Sequence, residues 1–266
     1  MMPPALAVEK LAYRYPDGTV ALRAVGFQIA PGECVGLLGP NGSGKSTLLL
    51  HLNGILPDRP GSAGTVRVHG ELIATANLET VRQRVGLLFQ DPDDQLFCAS
   101  VGDDVAFGPG QLGLSKEVVA ERVLRALAQV GLTGYERRMP YHLSQGEKRR
   151  ACLAGVLACE PSILVLDEPT SSLDPRGRRE FMALLREVPA TKLIATHDLE
   201  MVVEMCSRSI ILDGGRVVAD GPTLELLDNK ELVLAHGLER PHSLHHRRPI
   251  EGEEPFFWKP PQEPGK

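Results

Sequence analysis

The run Gly39-Pro40-Asn41-Gly42-Ser43-Gly44-Lys45-Ser46 constrains this chain more than any other feature. It satisfies G-x-x-x-x-G-K-[ST], and its flanks fit as well. The apolar stretch Cys34–Leu38 reads as a strand before it, and the hydrophobic period turns helical over residues 45–53 after it. A strand feeding through a glycine-rich turn into a helix leaves backbone N–H groups converging near a positive helix end, which is a cradle for phosphate oxygens. Lys45 is then placed to bridge β- and γ-phosphates, and Ser46 to ligate Mg²⁺.

The rest of the chain follows the same α/β pattern. Short apolar runs at residues 85–89, 163–166, 193–196 and 209–212, separated by helical patterns at 176–187 and 198–206, predict parallel strands buried on both faces. The 163–166 run ends in Asp167 and Glu168. At the carboxyl end of a parallel sheet these acids face the ligand crevice, Asp167 suited to Mg²⁺ and Glu168 to orienting and polarising an attacking water. Upstream, residues 5–30 alternate around a Pro16-Asp17-Gly18 turn and predict an antiparallel hairpin. Residues 114–158 hold no strand-like run; Ser115 as an N-cap with Val119, Val123, Leu127 and Val130 at helical spacing predicts a helical insertion. From His236 to Lys266 the prolines at 241, 249, 255, 260, 261 and 264 predict an irregular, disordered tail. His236, His242, His245 and His246 fall in that stretch without fixed spacing apart from the pair His242/His246, so a plain tail is favoured over a metal-binding one.

Further motifs appear in a fixed order. Leu143-Ser144-Gln145-Gly146-Glu147 resembles the signature motif of ATP-binding cassette (ABC) ATPases. Gln90 resembles that family's Q-loop glutamine, Ser171-Ser172-Leu173-Asp174 its D-loop, and His197, closing Ile194-Ala195-Thr196-His197, its switch histidine. Tyr15 stands where an adenine-stacking aromatic is expected, with Tyr13 as the rival. The resemblance spans roughly residues 5–235 and implies an ABC ATPase domain over 1–235. It would have a RecA-like P-loop NTPase core, an antiparallel β subdomain and an inserted α-helical subdomain near 92–158, followed by the extension 236–266. It implies an ATPase converting ATP and water to ADP and phosphate, with Lys45, Gln90, Glu168 and His197 catalytic and Ser46, Gln90 and Asp167 toward Mg²⁺. ATP would contact Tyr15, Gly39, Pro40, Asn41, Gly42, Ser43, Gly44, Lys45, Ser46 and Thr47 of one subunit and Ser144 and Gly146 of a second, head-to-tail subunit, identical or paralogous. Gln145 departs from the family's glycine and adds a side chain where backbone approaches closely. A nucleotide-binding regulatory subunit with little hydrolysis is therefore an alternative.

Residues 90–97 and 101–109 are similar to the ATPases of energy-coupling factor (ECF) importers, as is the Lys148-Arg149-Arg150 run. The stretch from Ala235 to Pro241 resembles their cobalt/nickel members, with vitamin uptake the alternative. This implies a transmembrane coupling subunit, a substrate-binding membrane component, and a peripheral place on the cytoplasmic face of the cell membrane. Between Val85 and Ser115 there is no Lys or Arg, while Asp91, Asp93, Asp94, Asp103 and Asp104 concentrate negative charge, an expected partner face. Composition agrees with these expectations. A net charge of −5 argues against nucleic acid, and five cysteines without C-x-x-C argue for a reducing compartment rather than a disulfide or zinc scaffold. No apolar run is long enough to span a bilayer, and no secretory leader is evident at the first residues.

Overall fold

The N-terminal hairpin forms as its turn residues dictate. β1 (Leu6–Arg14) and β2 (Val20–Ile29) pair antiparallel, with Tyr13 opposite Leu22. Asp17 accepts from the Thr19 N–H at 2.8 Å and Gly18 takes a φ of 92°, a conformation that suits glycine. The computed structural model describes residues 3–57 and 65–245. β3 (Cys34–Leu38) leads into α1 (Lys45–Leu52), β4 (Thr65–Val68), β5 (Glu71–Leu72), α2 (Leu78–Arg84) and β6 (Val85–Leu88). Three helices follow with no strand between them, α3 (Val101–Gln111), α4 (Lys116–Gln129) and α5 (Gln145–Leu157). Then come β7 (Ile163–Asp167), α6 (Pro175–Glu187), β8 (Thr191–Ala195), α7 (Leu199–Met205), β9 (Arg208–Asp213) and β10 (Arg216–Pro222). The described chain closes with α8 (Thr223–Asp228), α9 (Lys230–Ala235) and α10 (His242–His245).

The strands make two sheets, one ordered β2-β1-β4-β5 and one ordered β10-β9-β3-β8-β7-β6. In the larger sheet β9, β3, β8, β7 and β6 run parallel, and β10 closes the edge antiparallel to β9. Every residue of β6, β7 and β8 is buried, because helices or the smaller sheet cover both faces. Successive strand side chains point to opposite faces, so Leu164 and Leu166 join one core with α3 to α6, while Ile163 and Val165 join the other with α1 and the smaller sheet. The consequence for function is positional. β3, β8 and β7 are adjacent and parallel, so the loops leaving their carboxyl ends meet at one edge of the sheet.

The helical stretch is capped as its sequence predicts. The Ser115 hydroxyl accepts from the Val118 N–H, and Val123, Ala126 and Leu127 are buried. Ser144 and Glu147 form a reciprocal capping box at the start of α5, satisfying two backbone N–H groups that a helix end leaves open.

One expectation needs correction and another is refined. The stretch after His236 is not a loose tail: residues 236–241 form no helix or strand, as expected, but Leu238 and Leu244 are buried in the core, and α10 forms directly after Pro241. A proline just ahead of a helix forfeits no helical hydrogen bond, so reading Pro241 as a breaker missed the two leucines around it. His246 and the remainder of that stretch lie outside the described residues. The acidic stretch is also mostly spoken for. Asp91 accepts from the Asp93 N–H at 2.9 Å, Asp103 accepts from the Ser100 hydroxyl at 2.6 Å, Asp104 accepts from the N–H groups of Phe97 and Cys98, and Asp93 pairs with Lys148 at 2.6 Å. The cation missing from the sequence window arrives from α5.

Candidate nucleotide-binding site

The phosphate loop takes backbone angles that only glycine adopts freely. Gly39 has a φ of 151°, and a Cβ there would lie 2.0 Å from the Leu212 carbonyl oxygen; one on Gly44 would lie 2.6 Å from that of Ala21. Lys45 folds back over the loop, its Nζ donating to the carbonyls of Gly39 at 2.7 Å and Pro40 at 3.0 Å. Burial lowers the Lys45 pKa below the ordinary lysine value, opposed by the carboxylates of Glu168 and Asp167.

At the end of β7 the two acids part company. Burial raises the Asp167 pKa, while a hydrogen bond from the Ser46 hydroxyl acts against that shift. An oxygen pair of hydroxyl and carboxylate, already in contact, suits a small hard cation that keeps most of its waters and phosphate ligands. Among the described residues there is no cluster of three or more His, Cys, Asp or Glu side chains able to hold a metal ion by themselves. Glu168 turns toward β8. Its Oε2 accepts from Thr196 Oγ1 at 2.8 Å, and its Oε1 accepts from the His197 N–H at 3.0 Å and lies 2.8 Å from His197 Nδ1. The Glu168 φ is 44°, a strained value for a residue with a side chain, and it is held by this network.

These groups surround one cavity of about 700 Å³, lined by Tyr15, Gly39 to Gly42, Gly44 to Thr47, Gln90, Asp167, Glu168 and His197. Tyr15 borders it with its hydroxyl 3.0 Å from Thr47 Oγ1, whereas Tyr13 packs edge-on against His51, with ring centroids 4.7 Å apart. Of the residues expected here, Ser43 is buried away from the cavity, with its Oγ unpartnered. Ser144 and Gly146 are absent from the lining as well; they sit at the exposed start of α5, and Gln145 is the exposed first residue of that helix.

Sequence reasoning missed Thr196, fully buried beneath Glu168, although it stands beside the singled-out His197. It also missed the wall made by Thr19, Val20, Ala21, Gly237 and Leu238. Gly237 and Leu238 carried no chemical signal, and His236 beside them is fixed to Asp213 at 2.9 Å.

Known proteins match along most of the chain. Residues 22–171 match the family described as ABC transporter. A Gloeobacter violaceus relative, whose name places it among ABC transporter ATP-binding proteins, is 56% identical over 241 residues, covering 90% of this chain and 98% of its own. The energy-coupling factor transporter ATP-binding protein EcfA of Methanothermobacter thermautotrophicus is 45% identical over 90% of this chain and 77% of its own length. Among solved structures, cbiO1 of Clostridium perfringens, part of the ABC transporter complex cbiONQ, superposes with a TM-score of 0.76 at 39% identity, covering 91% of this chain and 98% of its own. A dimeric ATP-binding cassette bound to ADP and Pi gives a TM-score of 0.73 at 26% identity, covering 82% and 98%. With its phosphate loop, carboxylates and signature helix in family order on a RecA-like fold, the chain belongs to the ABC transporter ATPases, as an ATP-binding subunit of energy-coupling factor type.

Proposed function

We propose that this ATPase powers uptake of cobalt or nickel ions through partner membrane subunits, from the cytoplasmic face of the cell membrane. The observation that carries the cargo is the stretch from Ala235 to Pro241, whose resemblance is to cobalt/nickel members and which packs here as an integral part of the ATPase. Gly237 and Leu238 border the nucleotide cavity. The likeness to cbiO1, part of cbiONQ, supports the same reading.

In the proposed mechanism the loop from Gly39 to Thr47 binds the ATP phosphates and Tyr15 borders the base. Ser46 and Asp167 would hold Mg²⁺, with Gln90 lining the same cavity, and that ion would supply positive charge to offset the phosphates. Glu168, fixed by Thr196 and His197, orients the attacking water, and His197 faces the charge developing on the γ-phosphoryl group. Ser144 and Gly146 come from the partner copy, so the γ-phosphate is a ligand shared across the interface. Its loss on hydrolysis opens the dimer. No helix among the described residues is long and apolar enough to cross a membrane. The face beside Asp94 supports coupling to partner membrane subunits: Phe97 and Phe107 stack edge-on with centroids 5.0 Å apart, yet are 64% and 48% exposed.

Cells expressing the chain with its matching membrane subunits test the cargo. Uptake of labelled cobalt or nickel that disappears with Lys45→Ala is the expected result. Lys45-dependent uptake of a vitamin and of no metal ion would reject the cargo and leave the ATPase standing.

A further inference from the structure

α5 begins at the Ser144 cap and, just over one turn later, carries a guanidinium sealed inside the protein: Arg149 is 2% exposed. Its partners are not carboxylates. Nη1 donates to the Phe89 carbonyl at 2.7 Å, and Nη2 donates to the Gln90 carbonyl at 2.6 Å and to Ser171 Oγ at 3.1 Å. Ser171 Oγ in turn donates to the Glu168 carbonyl at 2.8 Å. Arg149 Nε is buried with no hydrogen-bond partner.

A permanent cation satisfied mainly by carbonyl dipoles is a poor source of stability, because a well-packed apolar side chain at that place escapes the desolvation penalty. Its geometry has another consequence. A rigid planar fork that grips two successive carbonyls fixes the direction in which the Gln90 side chain leaves the backbone. Neighbouring residues of α5 reinforce the same seam. Lys148 pairs with Asp93 at 2.6 Å, Cys152 Sγ lies 3.6 Å from the Pro92 carbonyl, and Gln95 Nε2 donates to the Cys152 carbonyl at 3.3 Å.

We propose that Arg149 is a positioning residue that locks Gln90 to the helix bearing Ser144 and Gly146. Gln90 and the element that reaches into the other subunit then shift together. Gln90's distance from the phosphates is thereby tied to the placement of the signature helix. This deepens the proposed function and rests on its reading of Gln90 as part of the nucleotide site.

The test uses the full chain with its partner subunits, reading phosphate release against Mg²⁺ and ATP, affinity for a fluorescent ATP analogue in EDTA, and the melting temperature. Arg149→Met is expected to lower kcat about tenfold and raise the Mg²⁺ concentration for half-activation several-fold, because only the placement of Gln90 is lost. Analogue affinity in EDTA stays within about twofold, since Lys45 and the phosphate loop are untouched. Arg149→Lys, which keeps the charge and one carbonyl bond, recovers part of kcat. Combining Arg149→Lys with Gln90→Ala is expected to be no slower than Gln90→Ala alone, because both act through one side chain.

Folded Arg149→Lys and Arg149→Met proteins with unchanged kcat and Mg²⁺ requirement, or losses that multiply in the double variant, overturn the proposal. If Arg149→Met does not fold, Arg149→Lys and the double variant decide. An active parent whose Gln90→Ala variant keeps full turnover rejects the underlying reading of Gln90 instead, which distinguishes the two failures.

Discussion

Replacing Thr196 by Val deletes one hydroxyl at the centre of the site and keeps the side chain's shape. Thr196 is fully buried; its Oγ1 donates to Glu168 Oε2 at 2.8 Å and accepts from the Asp198 N–H at 3.0 Å. Losing a hydrogen bond to a charged acceptor costs about 1.5–3 kcal/mol, and stranding a backbone N–H costs about 1–3 kcal/mol more. Glu168 keeps its two contacts to His197, and the added methyl packs in place of the hydroxyl, so the net destabilisation is expected near 2–4 kcal/mol, or roughly 5–15 °C in Tm for a chain of this size. With one of three restraints gone, the carboxylate samples other orientations, and kcat should fall about tenfold, equivalent to about 1.4 kcal/mol. Nucleotide affinity should not change, because the loop from Gly39 to Thr47 is untouched. Differential scanning calorimetry, phosphate release at saturating ATP and titration with a fluorescent ATP analogue read these three quantities. An unaltered Tm together with an unaltered kcat would refute the claim that Thr196 holds Glu168 in its working position.

Glu168→Gln should retain ATP binding and lose nearly all turnover, whereas Lys45→Ala should lose binding; equilibrium binding and phosphate release separate them. Gly39→Ala places a Cβ 2.0 Å from the Leu212 carbonyl oxygen, so it should destroy nucleotide binding and lower the Tm, which a binding titration and a thermal melt check together. Truncation after Pro241 removes Leu244, which is 3% exposed, and should destabilise the ATPase by about 2–3 kcal/mol relative to truncation after His245, as read by urea unfolding. Glu147, held down to about 2 by the Tyr135 hydroxyl and by the Ser144 N–H and hydroxyl, contributes stability that is present above its unfolded value of 4.5 and lost as pH falls through about 2. Glu147→Gln should therefore flatten that part of the acid unfolding curve.

The sheet was legible because parallel strands buried on both faces are unbroken apolar runs, as β6, β7 and β8 are. The phosphate loop was legible because its glycines have no substitutes at their backbone angles. Three features were hidden for physical reasons. Arg149 stood out only as a member of the Lys148-Arg149-Arg150 run, since nothing local marks a guanidinium whose partners lie about 60 and 20 residues away in the chain. The contacts inside the acidic stretch were hidden because Lys148, which pairs with Asp93, arrives from another element. Gly237 and Leu238 reach the cavity wall only through the docking of α9 and α10, a tertiary event with no periodic trace in sequence. Ser144 and Gly146 are the opposite case: the sequence singled them out, and one copy of the chain leaves them outside its own cavity.

Complementation between two inactive variants tests the shared site most directly. Ser144→Arg spoils the surface offered to a partner and keeps its own cavity; Lys45→Ala does the reverse. In a head-to-tail dimer, a mixed pair holds one site with both halves intact and one with both halves spoiled. Each variant alone should be inactive, and an equal mixture, after subunit exchange verified by a tagged chain, should recover about a quarter of parental phosphate release, since half the dimers are mixed and each has one good site of two. Exchange without any recovery, or full activity of Ser144→Arg alone, would contradict a site built from two copies.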